Sequence, residues 1–545
     1  MLDANLIKMY EQSFRDNREM SAVTDYFTGE TYSYYGFAKE VAKLHILFDE
    51  AGIKQGDKIA LVGRNTPRWC AVYIATITYG AVIVPIMQTF TSADIAHIVN
   101  HSGSRLLFLT DSYWEGLDED SLPEVEAVFS ITDYHALYER EGNKLTKFVN
   151  AMTENYRKRY PNGFTVENIK YADVPNDALM VLSYTSGTTG YSKGVMLTVN
   201  NLTANVYYAV NKINKSTGKH WFQKGRRTLA FLPLAHAFGC AFDFLAPLAA
   251  GGHINLLGKM PTPKVLVEAM AKVQPSIICS VPLVLEKVYR KQIAPMLEKG
   301  PLSIAMKVPL VNEVVRMKIK EKLMASFGGN LEMFIVGYGM TECAPLICVT
   351  PQPEEYKLGS CGKYLKEYLD VKIESSDPQC IPGEIMVKGE MVMQGYYKNQ
   401  KDTEAVLESD GWMHTGDMGI MDPDGTVYIK GRCKTMILTD TGQNIYPEQI
   451  EDKLNNMPLV LESLVLENEG KLYGLVVPDF DHCEKEGIDR AQLEDIMKDN
   501  LKNLNEQVAA YERLVSIAIH TSEFEKTPKR SIKRYLYDVK RLGIK

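Results

Sequence analysis

A chain of 545 residues, 45% hydrophobic and 24% charged, is globular and long enough for two or more domains. Its 61 basic and 68 acidic residues leave a net charge of −7, which argues against binding nucleic acid by bulk charge. Nine cysteines, an odd number with no Cys-x-x-Cys pair and no histidine cluster, fit reduced thiols in a cytoplasmic protein, and the N-terminal residues contain no signal-peptide core.

Through the first 340 residues, short apolar runs alternate with helical patterns. Strands are predicted at 58–62, 105–109, 179–182, 228–232, 253–257 and 276–280, and helices at 263–273 and 283–298. That alternation implies an α/β fold of largely parallel sheets covered by helices. The stretch 69–87 carries no charge and is long enough to cross a bilayer. However, Gly80 and Pro85 interrupt it, and Thr76, Thr78 and Tyr79 fall within it. It predicts a buried helix to about Tyr79 and a buried strand at 81–84, with no transmembrane span. A further buried strand is expected at 331–336. From about Asp370, closely spaced strands at 371–373, 384–387 and 426–429 suit a small antiparallel barrel. Beyond Arg432 come strands near 463–466 and 472–477 and a polar helix from 490 to about 512.

The most informative segment follows the strand at 179–182. It reads Tyr184-Thr-Ser-Gly-Thr-Thr-Gly-Tyr-Ser-Lys-Gly-Val195 and hangs from a sheet edge. Glycines let the backbone turn N–H groups toward an anion, Thr185, Ser186, Thr188, Thr189 and Ser192 add donors, and Lys193 adds charge. The spacing is not that of a Walker A loop. A loop holding a triphosphate is the better reading than a Ser/Gly-rich surface turn.

This loop resembles the phosphate loop of the adenylate-forming superfamily, which comprises acyl-CoA synthetases, luciferases and peptide-synthetase adenylation domains. Gly337-Tyr-Gly-Met-Thr-Glu342 resembles its adenine and magnesium motif. Gly383-Glu-Ile385 and Gly395-Tyr-Tyr397 resemble the next segment, while Trp412-Met-His-Thr-Gly-Asp417 and Gly431-Arg-Cys-Lys434 resemble the ribose motif and the hinge. Gly442 to Glu451 and Pro528 to Lys533 resemble the segments that open and close the C-terminal domain. The resemblance runs over nearly the whole chain and is strongest to bacterial long-chain-fatty-acid–CoA ligases. It implies a large N-terminal AMP-binding domain over 1–431, which carries the barrel, and a mobile α+β C-terminal domain over 432–545.

The resemblance also implies roles. The loop residues Thr185, Ser186, Gly187, Thr188, Thr189, Gly190 and Lys193 would hold the β and γ phosphates of ATP. Gly337, Tyr338, Gly339, Met340 and Thr341 would line the nucleotide. Glu342 would bind Mg²⁺ with the Thr185 hydroxyl as a second contact, since a hard cation prefers oxygen. Asp417, an acceptor, suits the ribose hydroxyls, and Arg432 reaches the same sugar. Lys533 would bridge the α-phosphate and the incoming carboxylate. Its neighbours Lys526, Lys529, Arg530 and Arg534 leave a plain basic tail open, and Ile532 replaces the glycine usual before this lysine. His236 stands where the family gates the acyl pocket, or is a packed structural histidine. Lys434 matches the hinge, and Gly442 would border the pantetheine channel.

The implied activity is ligation of a fatty acid to coenzyme A through an acyl-adenylate, with ATP and CoA as co-substrates and Mg²⁺ as cofactor. The partners are then small molecules, with no nucleic acid and with peripheral membrane contact allowed. Two alternatives stay open: loading of a separate carrier protein, and a non-catalytic nucleotide- or acyl-binding relative. One departure bears on them. The family places a Gly-Gly-Ala-type turn, a helix and another strand between the strand at 331–336 and the Gly-Tyr-Gly motif, yet here Val336 precedes Gly337 directly. Neighbouring parallel strands need a crossover of about a dozen residues. Either the element is lacking, or the chain as written omits a segment and the Cα atoms of Val336 and Gly337 lie far apart. A normal bond there would favour the non-catalytic binder.

Overall fold

A computed structural model describes residues 2–185, 192–213, 218, 220–258, 262–280, 331–349, 357, 359–438, 443–527 and 531–543. The chain divides into two compact units. The first comprises the described residues up to 370 and those at 388–412; the second comprises 371–387 and everything from 413 onward.

In the first unit the uncharged stretch becomes the helix Pro67–Tyr79 and the strand Val82–Ile86. Thr66 caps the helix through its side chain, Pro67 starts it, and Gly80 at φ 88° ends it in the left-handed region that glycine adopts freely. Residues 69–78 of the helix and all five strand residues are buried. Among the described residues no helix is long and apolar enough to cross a membrane.

That strand lies inside an eight-stranded sheet. The order is Gly395–Tyr396, Lys193–Thr198, Leu179–Thr185, Val82–Ile86, Lys58–Val62, Ser104–Leu109, Ala127–Ser130 and Ala136–Glu139. The middle strands run parallel, and the pair Leu179–Thr185 and Lys193–Thr198 runs antiparallel. The glycine- and hydroxyl-rich loop therefore joins two neighbouring strands inside the sheet, with Gly395–Tyr396 outside them, and does not leave from an edge.

The second eight-stranded sheet has the order Lys363–Tyr364, Leu346–Val349, Met333–Gly339, Ile277–Ser280, Arg227–Ala230, His253–Leu256, Ser21–Asp25 and Thr31–Ser33. The helix Pro263–Val273 has its predicted bounds; the helix predicted at 283–298 lies outside the described residues.

The expected break at Val336–Gly337 is absent. Met333–Gly339 is one continuous strand. Its first four residues pair parallel with Ile277–Ser280, ending at Ser280 opposite Val336, and its last three pair antiparallel with Leu346–Val349, starting at Gly337 opposite Val349. A crossover is needed only to return to the start of a parallel neighbour. Here the chain turns back within a few residues into an antiparallel one, so no return path is required.

In the second unit, the closely spaced strands Leu369–Glu374, Gly383–Gly389, Met413–Met421 and Val427–Arg432 form a four-stranded sheet. After a two-stranded ribbon, the helix Pro447–Asn455 packs against a three-stranded sheet of Val460–Asn468, Lys471–Pro478 and Leu514–Ile519. Ile450, Leu454, Val465, Val476, Met497 and Leu514 are in its core. The polar helix runs Arg490–Gln507, shorter than predicted, because Val508 turns extended and buries its side chain in that core.

Candidate functional site

The phosphate-loop candidates begin and end on well-described backbone. Thr185 closes one strand and Lys193 opens the next, and the two are cross-strand partners. Ser186, Gly187, Thr188, Thr189 and Gly190 lie outside the described residues. Lys193 Nζ lies 2.8 Å from Asp402 Oδ2 and 4.9 Å from the centroid of the Tyr396 ring. The hydrogen bond from Lys193 holds the Asp402 carboxyl below its usual range. One residue before Thr185, the Tyr184 hydroxyl meets His101 Nδ1 at 2.7 Å.

The Gly337-to-Glu342 motif is shaped by close packing. A Cβ on Gly337 would stand 2.5 Å from Leu346 Cδ1, and one on Gly339 would stand 1.9 Å from the Pro345 carbonyl oxygen. Tyr338 continues the strand, half-buried, between these glycines. The Met340 N–H donates to that same Pro345 oxygen at 2.8 Å, and Thr341 and Glu342 enter a short 3₁₀ turn, both buried. Buried Asn205 clamps the turn: its Nδ2 donates to the Cys343 carbonyl at 3.3 Å and its Oδ1 accepts from Leu346 N–H at 3.2 Å.

Glu342 is 8% exposed, and its Oε1 accepts a hydrogen bond of 2.9 Å from the Tyr396 hydroxyl. Burial, then the facing Glu342 carboxylate, raises the Tyr396 phenol well above its ordinary value and keeps it a donor. Tyr396 therefore joins Glu342 to Lys193, and Asp402 fixes the lysine from the other side. Neither Tyr396 nor Asp402 carries a role in the sequence reading. Tyr396 was within reach, since Gly395-Tyr-Tyr397 stands out as a family-like segment.

His236 caps the short helix Ala237–Gly239, accepting from the Phe238 N–H at Nδ1 over 3.3 Å. The Phe238 ring lies 3.3 Å from where a Gly337 Cβ would be, so this turn packs against the Gly337-to-Glu342 segment. Beside it is an apolar cavity of about 20 Å³ lined by Tyr73, Leu197, Leu234, Ala237, Cys240 and Ala344 among others. That is room for one water-sized group, not for an acyl chain.

In the second unit Asp417 and Arg432 are cross-strand partners, with Arg432 Nε 2.7 Å from Asp417 Oδ1. Asp417 is 4% exposed while the Arg432 side chain is mostly exposed to solvent. Glu384 holds the turn before Asp417: its Oε1 accepts from the Gly416 N–H at 2.9 Å and its Oε2 meets His414 Nδ1 at 2.9 Å. Lys434 is exposed in the turn after Arg432. Gly442 lies outside the described residues. Lys533 donates its N–H to the Glu525 carbonyl at 2.8 Å, and its Nζ stands 3.6 Å from the Glu525 carboxylate.

The neighbouring Arg534 pairs with buried Glu451, whose Oε1 also accepts from the Val465 N–H at 2.6 Å. Burial pushes the Glu451 carboxyl up from 4.5 to about 7, against the opposing pull of Arg534. A raised carboxyl favours the folded state most when protonated. Its contribution is complete below pH 4.5 and is lost as pH rises to about 7, on the order of 3 kcal/mol in all. Urea denaturation of this unit is expected to show that fall in wild type, and a flat profile over the same interval in Glu451→Gln. An equal slope in both would assign the dependence elsewhere.

Comparison with known proteins decides the class. The profile of the AMP-binding enzyme family matches residues 10–397, and that of the AMP-binding enzyme C-terminal domain matches 434–538. The chain belongs to the AMP-binding enzyme family. A long-chain-fatty-acid–CoA ligase of Escherichia coli O6:H1 is 27% identical over 481 residues, 84% of this chain and 82% of that protein. A 4-coumarate–CoA ligase of Humulus lupulus is also 27% identical, over 94% of this chain and 89% of its own length. Among solved structures, an anthranilate CoA ligase in complex with anthranoyl-AMP matches with a TM-score of 0.76 at 18% identity, covering 98% of this chain and 96% of its own. The family's class here is that of adenylate-forming acyl- and aryl-CoA ligases.

Proposed function

We propose that the protein joins a fatty acid to coenzyme A. The carboxylate attacks the α-phosphorus of ATP and pyrophosphate leaves; the thiol then attacks the acyl carbon and AMP leaves. The observation that carries this reading is Glu342, seated buried on the hydroxyl of Tyr396, whose ring in turn lies under Lys193 at the end of the triphosphate loop. Around phosphoryl transfer a protein contributes mainly position and countercharge. Lys193 supplies charge to the β and γ phosphates, Asp417 and Arg432 grip the ribose, and Lys533 comes to the α-phosphate as charge develops there. The hinge at 432–434 then separates a domain over 1–431 from one over 432–545 and lets Lys533 leave.

Glu342 and Thr185 present oxygen donors, the set that suits Mg²⁺, which would neutralise phosphate charge there. Glu342→Gln is accordingly expected to weaken metal-dependent turnover far more than folding. Full activity at limiting Mg²⁺ would remove Glu342 from the ligand set.

A fatty acid fits the apolar cavity lining beside His236 and the bacterial relatives, although the aryl-CoA ligases are equally similar in sequence. The cavity must open for any chain to enter; its lining includes Ala235 and Ala237, the two neighbours of His236. A cytoplasmic location belongs to the same reading. A second reading, a non-catalytic nucleotide or acyl binder, is favoured by the uninterrupted strand Met333–Gly339, which lacks the turn that the family resemblance leads one to expect after Val336. ATP–pyrophosphate exchange over a panel of acids separates the two: acid-dependent exchange supports the ligase, and nucleotide binding without exchange supports the binder. AMP release with free CoA against a carrier protein then identifies the acceptor.

A further inference from the structure

Three candidate elements of the second unit, Arg432, the hinge at Lys434 and the segment of Lys533, converge on one side chain with no role so far. Glu448 is in the first turn of the helix Pro447–Asn455. Its Oε1 accepts a hydrogen bond of 2.6 Å from the Thr435 hydroxyl, one residue past Lys434, and stands 3.7 Å from an Arg534 guanidinium nitrogen, one residue past Lys533. Its Oε2 would meet a Gly431 Cβ at 3.0 Å, so the strand end that bears Arg432 packs directly on the carboxylate. That Oε2 is buried and makes no hydrogen bond among the described residues. A buried carboxylate oxygen without a donor is costly.

We propose that Glu448 is a positioning residue that couples the hinge to the segment carrying Lys533. The inference rests on the ligase reading for its purpose but not for its mechanics. Thr435 cannot leave Glu448 without changing what Arg534 faces, because both use the same carboxylate oxygen. Arg534 is held in turn by Glu451, which is fixed to the Val465 N–H in the sheet of this unit. Turning the hinge about Lys434 moves Gly431, which packs on Glu448 from before the hinge, and so changes one of the two carboxyl partners of Arg534 and shifts the backbone that carries Lys533.

Hydrogen exchange on the full chain tests the coupling without substrate. The reporters are the Thr435 and Met436 amides, both bonded to the Arg432 carbonyl, and the Lys533, Leu536 and Tyr537 amides, bonded to Glu525, Lys533 and Arg534 carbonyls. Thr435→Val cuts only the hinge end, and Glu448→Gln removes the charge that Arg534 faces. Each variant is expected to speed both groups of amides by about tenfold, the scale of one hydrogen bond, and to leave amides of Lys471–Pro478 unchanged. If each variant perturbs only its own end, or if Lys471–Pro478 exchanges faster as well, the coupling is refuted. In pyrophosphate exchange, Glu448→Gln should lower the rate about tenfold in wild type and change nothing further in Lys533→Ala. The same factor in both backgrounds would show that Glu448 does not act through Lys533. A wild type without exchange would refute the ligase reading, while the amide measurements still judge the coupling.

Discussion

Lys533→Ala is expected to abolish adenylate formation and to leave the second half-reaction largely intact. The Lys533 side chain is one-third exposed and its ion pair with Glu525, at 3.6 Å, is a surface contact worth about 0–1 kcal/mol. Its backbone N–H bond to Glu525 survives the substitution, so thermal stability should hardly change. Removing one donor aimed at developing charge typically costs about 100- to 1,000-fold in rate. ATP–pyrophosphate exchange should fall by that factor, whereas thioester formation from supplied acyl-adenylate should keep most of its rate. An equal loss in both half-reactions would overturn the assignment of Lys533 to the first step.

Gly339→Ala should be the most damaging single methyl group among the described glycines of the first unit. The new Cβ would lie 1.9 Å from the Pro345 oxygen, 2.9 Å from its carbonyl carbon and 3.0 Å from the Leu346 Cα. All three are backbone atoms on the partner strand or the turn into it, so no rotamer change relieves the clash. The strand would have to part from Leu346–Val349, the Met340 bond to Pro345 would go, and the turn that carries Glu342 would lose its seat. A loss of about 3 kcal/mol or more is expected, with exchange activity lost alongside. Gly337→Ala is the comparison: its closest clash, at 2.5 Å, is with the end of the Leu346 side chain, which can move. Denaturation of the two variants should rank Gly339→Ala as clearly the less stable. The reverse order would mean that the motif is not held as described.

Much of the scaffold is readable in the residues. The strand Lys58–Val62 and the helix Pro263–Val273 have their predicted bounds, because an apolar run and an apolar stripe between clear breakers leave little choice of ends. The cross-strand pair of Asp417 and Arg432 joins two residues that the resemblance had already assigned to one sugar. Other features depend on contacts that no local pattern encodes. Tyr396 acquires its place between Glu342 and Lys193 from a two-residue strand, too short to show a period. Arg534 and Glu451 are 83 residues apart in the chain. The expected gap after Val336 holds only for a strand with parallel neighbours on both sides, and the far end of this one has an antiparallel partner.

The unbroken run Met333–Gly339 also restricts which insertions and deletions this protein can accept. Side chains alternate faces along a strand, so adding or removing one residue turns every later side chain over. On most strands such a slip can be absorbed at a loop. Here the same seven residues answer to Ile277–Ser280 at one end and to Leu346–Val349 at the other. A one-residue change near Val336 would move Gly337 and Gly339 out of places too narrow for a Cβ, and put side chains there instead. Length variation at this position is therefore all or nothing: the junction stays as it is, or it takes up a whole crossover unit that gives each end its own strand.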